Sequence, residues 1–226
     1  MAEDASTDYE EELASGRYRR GTLEFERVLT FSDAVFAIAL TLLIVSVAIP
    51  TVQHRASASS MVSALLGIVP HLFGFFLGFV MVARYWVAHH RFSSSLSSLD
   101  NRFIQINLAY LALVAFLPFP TGLFGTYLDN PVSVALFGLT LAAISTLETL
   151  QYAHIRRSGQ LRRPLSDAAY RFGLIESSVP VVLMLLSIPV AFLATSVAPF
   201  IWLLVFPLET VLDRWRPPDL RPNQLP

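Results

Sequence analysis

Apolar positions in this chain neither alternate nor form narrow helical stripes; they come in blocks. Six stand out, at about 27–49, 61–88, 102–119, 132–154, 173–194 and 198–212. A helix needs about 20 apolar residues to cross a hydrocarbon core about 30 Å thick, so blocks of this length predict membrane spans rather than strands. The last two share the 41 residues from Phe172 to Leu212, divided by "ATSVAP" (Ala194–Pro199), and the second of them is short and carries Pro207. The pattern predicts an all-α polytopic membrane protein with six transmembrane helices over residues 24–212. Residues 1–23 are acidic and polar and read as a disordered tail, and residues 213–226, rich in proline, read as a second irregular tail.

The first block raises a question of register. "RVLTFSDAVFAIALTLLIVSVAIP" (Arg27–Pro50) carries Ser32 and Asp33 near its start. Both are good N-caps, and a helix starting at Ala34 would leave the acid in water. That helix would have 16 residues to Ile49, or about 24 Å at 1.5 Å per residue, short of a span. Starting near Glu24 or Glu26 restores the length and puts Ser32 and Asp33 one to two turns inside. An acid there is costly unless it faces protein or water, which marks it as functional.

Composition agrees with a membrane class: of 226 residues 54% are hydrophobic and 15% charged, and the mean hydropathy is +0.56. There is no cysteine, hence no thiolate metal site and no disulfide. No cleavable signal peptide is expected, because residues 1–23 lack the basic-then-apolar order that one needs. All 16 basic residues are arginine and they are unevenly placed. Arg17, Arg19, Arg20 and Arg27 precede the first block; Arg84, Arg91 and Arg102 bracket the second link. Arg156, Arg157, Arg162, Arg163 and Arg171 fill the fourth, and Arg214, Arg216 and Arg221 follow the last block. The alternate links hold only Arg55. Basic residues collect on the cytoplasmic side, so both termini are expected in the cytoplasm, in the cell membrane.

That orientation brings the inner ends of three spans together. Ser32 and Asp33 of the first meet "RYWVAHHRF" (Arg84–Phe92) of the second and "DNRFIQINLAY" (Asp100–Tyr110) of the third. Arg27, six positions from Asp33, lies off its helical face. A polar cluster of Ser32 and Asp33 with Arg27, Arg84, Trp86, His89, His90 and Asn107 as available partners follows, at the least as interhelical glue.

Other chemistry finds little support. Adjacent His89 and His90 point apart on a helix, with no HExxH pattern beside them, so no metal site is expected. No phosphate-binding loop, G-x-S-x-G or paired-carboxylate motif occurs, which argues against an enzyme. The TVGYG filter of ordinary potassium channels is absent. His71, Glu148, Glu176 and Glu209 would suit a proton-coupled or other secondary transporter drawing on Asp33, His71 or Glu148, although no broken-helix repeat accompanies them. A membrane scaffold without transport is a third reading. Nothing suggests nucleic acid as a partner, and no cofactor is expected.

Three stretches carry a resemblance. "RVLTFSDAVFAIALTLL" resembles the R-x-x-x-F-S-D signature of the transmembrane protein 175 family of potassium channels, through Arg27, Phe31, Ser32 and Asp33. "YWVAHHRF" resembles the family's W-x-x-H-H motif, and "NLAYLALVAFLPFPTGLFG" (Asn107–Gly125) its third-helix motif. The resemblance implies a potassium-permeable cation channel, a homotetramer whose central pore is lined by the first helix of each subunit, with potassium as the permeant species. It places the constricting isoleucine at Ile38, with Thr41, Leu42 and Val45 further along the same helix. Val45 is smaller than the leucine the family resemblance leads one to expect there. These positions form an i, i+3, i+4, i+7 stripe, but the helix is apolar all round and periodicity does not select that face.

Overall fold

Proline marks several, though not all, of the helix breaks in this chain. The computed structural model describes residues 16–53 and 57–220. Strand β1 (Arg17–Arg19) leads into α1 (Leu23–Leu42), which tightens into a 3-10 turn over Leu43–Ser46. Helices α2 (Ala58–Gly67) and α3 (Val69–Ser94) follow, then strand β2 (Ser98–Asp100), α4 (Asn101–Phe116), α5 (Pro118–Thr126), α6 (Pro131–Ser158), α7 (Asp167–Leu193), α8 (Ala198–Leu203) and α9 (Val205–Trp215). Three of these junctions have one cause. Pro70, Pro118 with Pro120, and Pro207 each withhold the N–H that would continue the ladder. The chain tightens just before each, with Ile68 bonding to Leu65 O at 3.3 Å, Leu117 to Val114 O at 3.2 Å and Leu204 to Ile201 O at 3.1 Å.

Among the described residues five helical stretches are long and apolar enough to cross a membrane: Leu23–Ser46, Val69–Ser94, Asn101–Thr126, Pro131–Ser158 and Asp167–Leu193. The second expected block, 61–88, is two helices, α2 and α3, and the third runs on through α5 to Thr126. The sixth block is not one helix but the short pair α8 and α9.

The main core lies between α1, α3, α4, α5, α6, α7 and α8. Phe36, Tyr85, Tyr110, Phe137 and Trp202 are fully buried in it. Phe124 stacks on Phe137 at 5.4 Å, and Trp202 meets Phe137 edge-on at 4.9 Å while its indole N–H donates to Ser187 Oγ at 2.7 Å. That bond anchors α8. Close approach of α3 to α5 rests on Gly74, where a Cβ would stand 2.9 Å from Gly125 Cα.

A smaller core closes the end of the bundle that carries the N-terminal strand: Phe25, Leu96, Leu99, Phe103 and Ile155. The expected tail over residues 1–23 is corrected here for its last part. Residues 1–15 lie outside the described residues, as do Arg55 and 221–226, but Arg17–Arg19 pairs antiparallel with Ser98–Asp100, Tyr18 opposite Leu99. Arginine chemistry explains the order: Arg17 donates to Ser158 O at the end of α6, and Arg20 to Ser94 O at 3.0 Å and Leu96 O at 3.2 Å at the end of α3. Cations are favoured against the partial negative charge of helix C-termini. At the same end Asp100 caps α4 by accepting from Phe103 N–H at 2.6 Å, and both its oxygens lie 2.9 Å from His154 Nε2. Burial works to raise the Asp100 carboxyl, but the Phe103 and His154 contacts outweigh it and hold the group below its ordinary value.

Candidate functional site: the first helix and its polar anchor

Helix α1 begins at Leu23, with Thr22 in extended conformation before it. The capping alternative for Ser32 and Asp33 is thereby excluded; both lie well inside the helix, nearly three turns from its start. Side chains of α1 divide sharply into two faces. Phe25, Ser32, Phe36 and Ala39, continued by Leu43 in the 3-10 turn, are buried against the bundle. Arg27, Thr30, Phe31, Ala34, Ile38, Thr41, Leu42 and Val45 are exposed in the single chain. The apolar members of that outward face are conspicuous: Ile38 is 58% exposed and Val45 74%. Thr41 turns its hydroxyl hydrogen back to Ile38 O at 2.8 Å, which leaves its oxygen lone pairs directed outward.

The buried face is fixed by a chain of side-chain hydrogen bonds. Ser32 O–H donates to Val28 O at 2.9 Å and accepts from Asn107 Nδ2 of α4 at 2.9 Å. Asn107 Oδ1 accepts from His89 Nε2 of α3 at 3.0 Å and from Gln151 Nε2 of α6 at 3.3 Å. With Nε2 donating, the other ring nitrogen of His89 is the acceptor for Ser93 O–H at 3.5 Å. The His89 ring lies between Phe36 and Tyr110, stacked on the latter at 5.7 Å. Four helices therefore meet at one amide, and every polar atom of Asn107 is used.

Asp33 belongs to a separate, wetter contact. Trp86 of α3 donates its indole N–H to Asp33 Oδ1 at 3.0 Å, and His90 stacks on Trp86 at 5.5 Å. Asp33 and His90, together with Arg20, Glu26, Thr30 and Ser94, line a cleft of about 180 Å³ between α1 and α3.

Two members of the expected cluster stand elsewhere. Arg84, taken as an available partner for Asp33, pairs with Glu209 of α9 and stands near Glu148 of α6. Positions 84 and 86 are about 200° apart around a helix, so one residue cannot join the contact that the other makes. Arg27 is exposed beside a second cleft lined by Phe31, Ala34, Ile104 and Leu108. Gln151 was missed: a lone glutamine in an apolar span was its only signal. Asp33, His71 and Glu148 do not converge. His71 is near the start of α3, packed at Gly125 of α5, about 22 Å along the helix from Trp86. Among the described residues no group of three His, Asp or Glu side chains is placed to hold a metal ion.

These features define a multi-pass helical membrane protein whose first helix is pinned on one face by polar bonds and left uncovered on the other. The family description "Endosomal/lysosomal potassium channel TMEM175" matches residues 27–118. A potassium channel of Chamaesiphon minutus is 33% identical over 162 residues, 66% of this chain and 79% of that relative. A potassium channel of Streptomyces collinus is 32% identical over 149 residues, covering 64% and 71%. The human endosomal/lysosomal proton channel TMEM175 is 28% identical over 152 residues, 65% of this chain but 30% of that longer protein. The crystal structure of a lysosomal potassium-selective channel TMEM175 homologue from Chamaesiphon minutus superposes with a TM-score of 0.71 at 26% identity, over 86% of this chain and 98% of that one. The chain belongs to the TMEM175 family of potassium channels.

Proposed function

We propose that this protein is a potassium-permeable cation channel without a TVGYG filter, formed by a homotetramer around the uncovered face of α1. Ile38 makes the narrowest ring, with Thr41, Leu42 and Val45 beyond it. Six crossings, counting α8 and α9 together as the last, leave both termini in the cytoplasm of a cell whose surface membrane holds the channel. The observation that carries this reading is the division of α1: the residues matched to the family's constriction are those its own bundle leaves bare. Apolar rings close a pore by expelling water. Thr41 oxygens, one turn outward, offer ligands to a partly dehydrated cation. Asp33, toward the inner end and open to its cleft, favours cations at the entrance by its charge. Phe31, on the outward face beside it, marks where the signature passes from anchor to lining.

Planar-bilayer recording with Ile38→Asn tests this. An amide ring hydrates the constriction, so conductance should rise and discrimination among monovalent cations should fall. Ala39→Asn is the control for destabilisation, because Ala39 is buried on the opposite face; Ile44, in the 3-10 turn, is itself half exposed and does not serve. Unchanged current and selectivity through well-folded Ile38→Asn protein would remove Ile38 from the pore.

A further inference from the structure

A second set of charges sits inside the bundle, away from α1. Arg84 of α3 lies between two acids. Glu209 of α9 receives both Nε, at 3.0 Å, and Nη2 of the guanidinium on a single oxygen, Oε1. Glu148 of α6 stands differently. Its Oε2 is 3.7 Å from Arg84 Nη1, beyond hydrogen-bond reach. Neither atom has a hydrogen-bond partner, although both are closed to solvent.

Among the described residues, neighbouring groups do not supply the missing positive charge. Tyr85 on α3 turns its hydroxyl to Leu141 O and Ser145 Oγ, both at 2.9 Å, and Tyr110 on α4 turns its own toward Tyr85 O at 3.4 Å. From α7 comes another acid, Glu176, held by Arg216 beyond the end of α9, with Asp213 also 3.0 Å from Arg216. Helices α5 and α8 contain no titratable side chain. Each arginine thus faces two carboxylates, and the Arg84 group is one positive charge short when both acids are ionised.

We propose that Glu148 is a proton-binding site distinct from the α1 face, and that its occupancy sets how firmly α9 docks on the bundle. Two carboxylates around one counter-charge in a low dielectric share a proton rather than both ionise. Geometry selects the acceptor: Glu209 already takes two N–H donors, whereas Glu148 takes none. With the proton on Glu148, Arg84 and Glu209 form a neutral pair. When that proton leaves to water, Glu148 competes for the guanidinium through Nη1 and weakens the hold on Glu209. Helix α9 depends on that hold, since Val205 is its only buried side chain and the Glu209 and Arg216 pairs are its polar ties.

Infrared difference spectra of the full chain in lipid nanodiscs, stepped in pH, read the proton directly. The parent should show the C=O stretch of a protonated carboxylic acid that disappears on raising pH; Glu176→Gln should keep this band and Glu148→Gln should lose it. The opening constant over Val205–Trp215, obtained from amide exchange after division by the intrinsic hydroxide-catalysed rate at each pH, should rise with pH in the parent, by at most about tenfold per pH unit because one proton is linked, and be flat in Glu148→Gln. The parent measurement needs no variant, so a folding defect in a variant does not rescue the idea. No acid band in the parent at any pH, a band that survives Glu148→Gln, or an opening constant in that variant that keeps the parental pH slope would overturn it.

Discussion

Asn107→Ala tests the anchor that sets which face of α1 is left bare. The substitution removes three hydrogen bonds, to Ser32, His89 and Gln151. At about 0.6 kcal/mol for each interhelical bond in a membrane protein, that loss is about 2 kcal/mol. Two donors, His89 Nε2–H and the Gln151 amide, are then stranded in a dry core, at a cost of about 1 kcal/mol each. The sum is about 4 kcal/mol, large against a typical total stability of about 5–15 kcal/mol. Ser32→Ala removes one interhelical bond, that from Asn107, together with the local bond from Ser32 to Val28 O within its own helix, and should cost about 1 kcal/mol. Unfolding by denaturant in mixed micelles measures both. The double variant should show a coupling between Ser32 and Asn107 of the order of a single bond, roughly 0.6 kcal/mol. Equal costs for Asn107→Ala and Ser32→Ala would refute the reasoning, since the amide would then bear no more than one contact. A defect in channel assembly without loss of stability would also count against it.

Two further predictions follow from particular contacts. The Asp100 carboxyl is held below its ordinary value of 3.8, so the stability it contributes is fully present above that value and is lost as pH falls through the depressed one. Asp100→Asn retains an N-cap for α4 and should flatten this acid limb in thermal melts, and a variant with the parental acid limb would show that Asp100 is not the group responsible. For topology, single cysteines at Ala58 and Asp129, both exposed, should label from outside the cell, whereas one at Arg157 should not. Outside labelling at Arg157 would reverse the orientation. Gly125 is unsuitable as a reporter because it is buried against His71.

Local chemistry explains what could be read without coordinates. Apolar block length depends only on the thickness of hydrocarbon and on the rise of a helix, so five long spans and a weak sixth were visible in the chain as written. Proline at positions 118, 120 and 207 acts on its own backbone, yet whether it ends a helix or merely restarts it after one turn depends on what packs around the break. The third block, ended at 119 in the sequence, therefore runs on as α5 (Pro118–Thr126). Family motifs located Ser32, His89 and Asn107 because identity at fixed spacing needs no geometry. They could not separate Asp33 from that group, since the choice between Trp86 and Arg84 as its partner turns on helix rotation. Nor could they find Gln151 or the Arg84–Glu209 pair, which join residues 44 and 125 positions apart. The N-terminal strand escaped for the same reason: Arg17 and Arg20 look like a solvated basic run until the ends of α3 and α6 present their carbonyls. An apolar helix looks the same from every side in sequence. What made one face of α1 different was the burial of the other, and burial is a property of the packed chain.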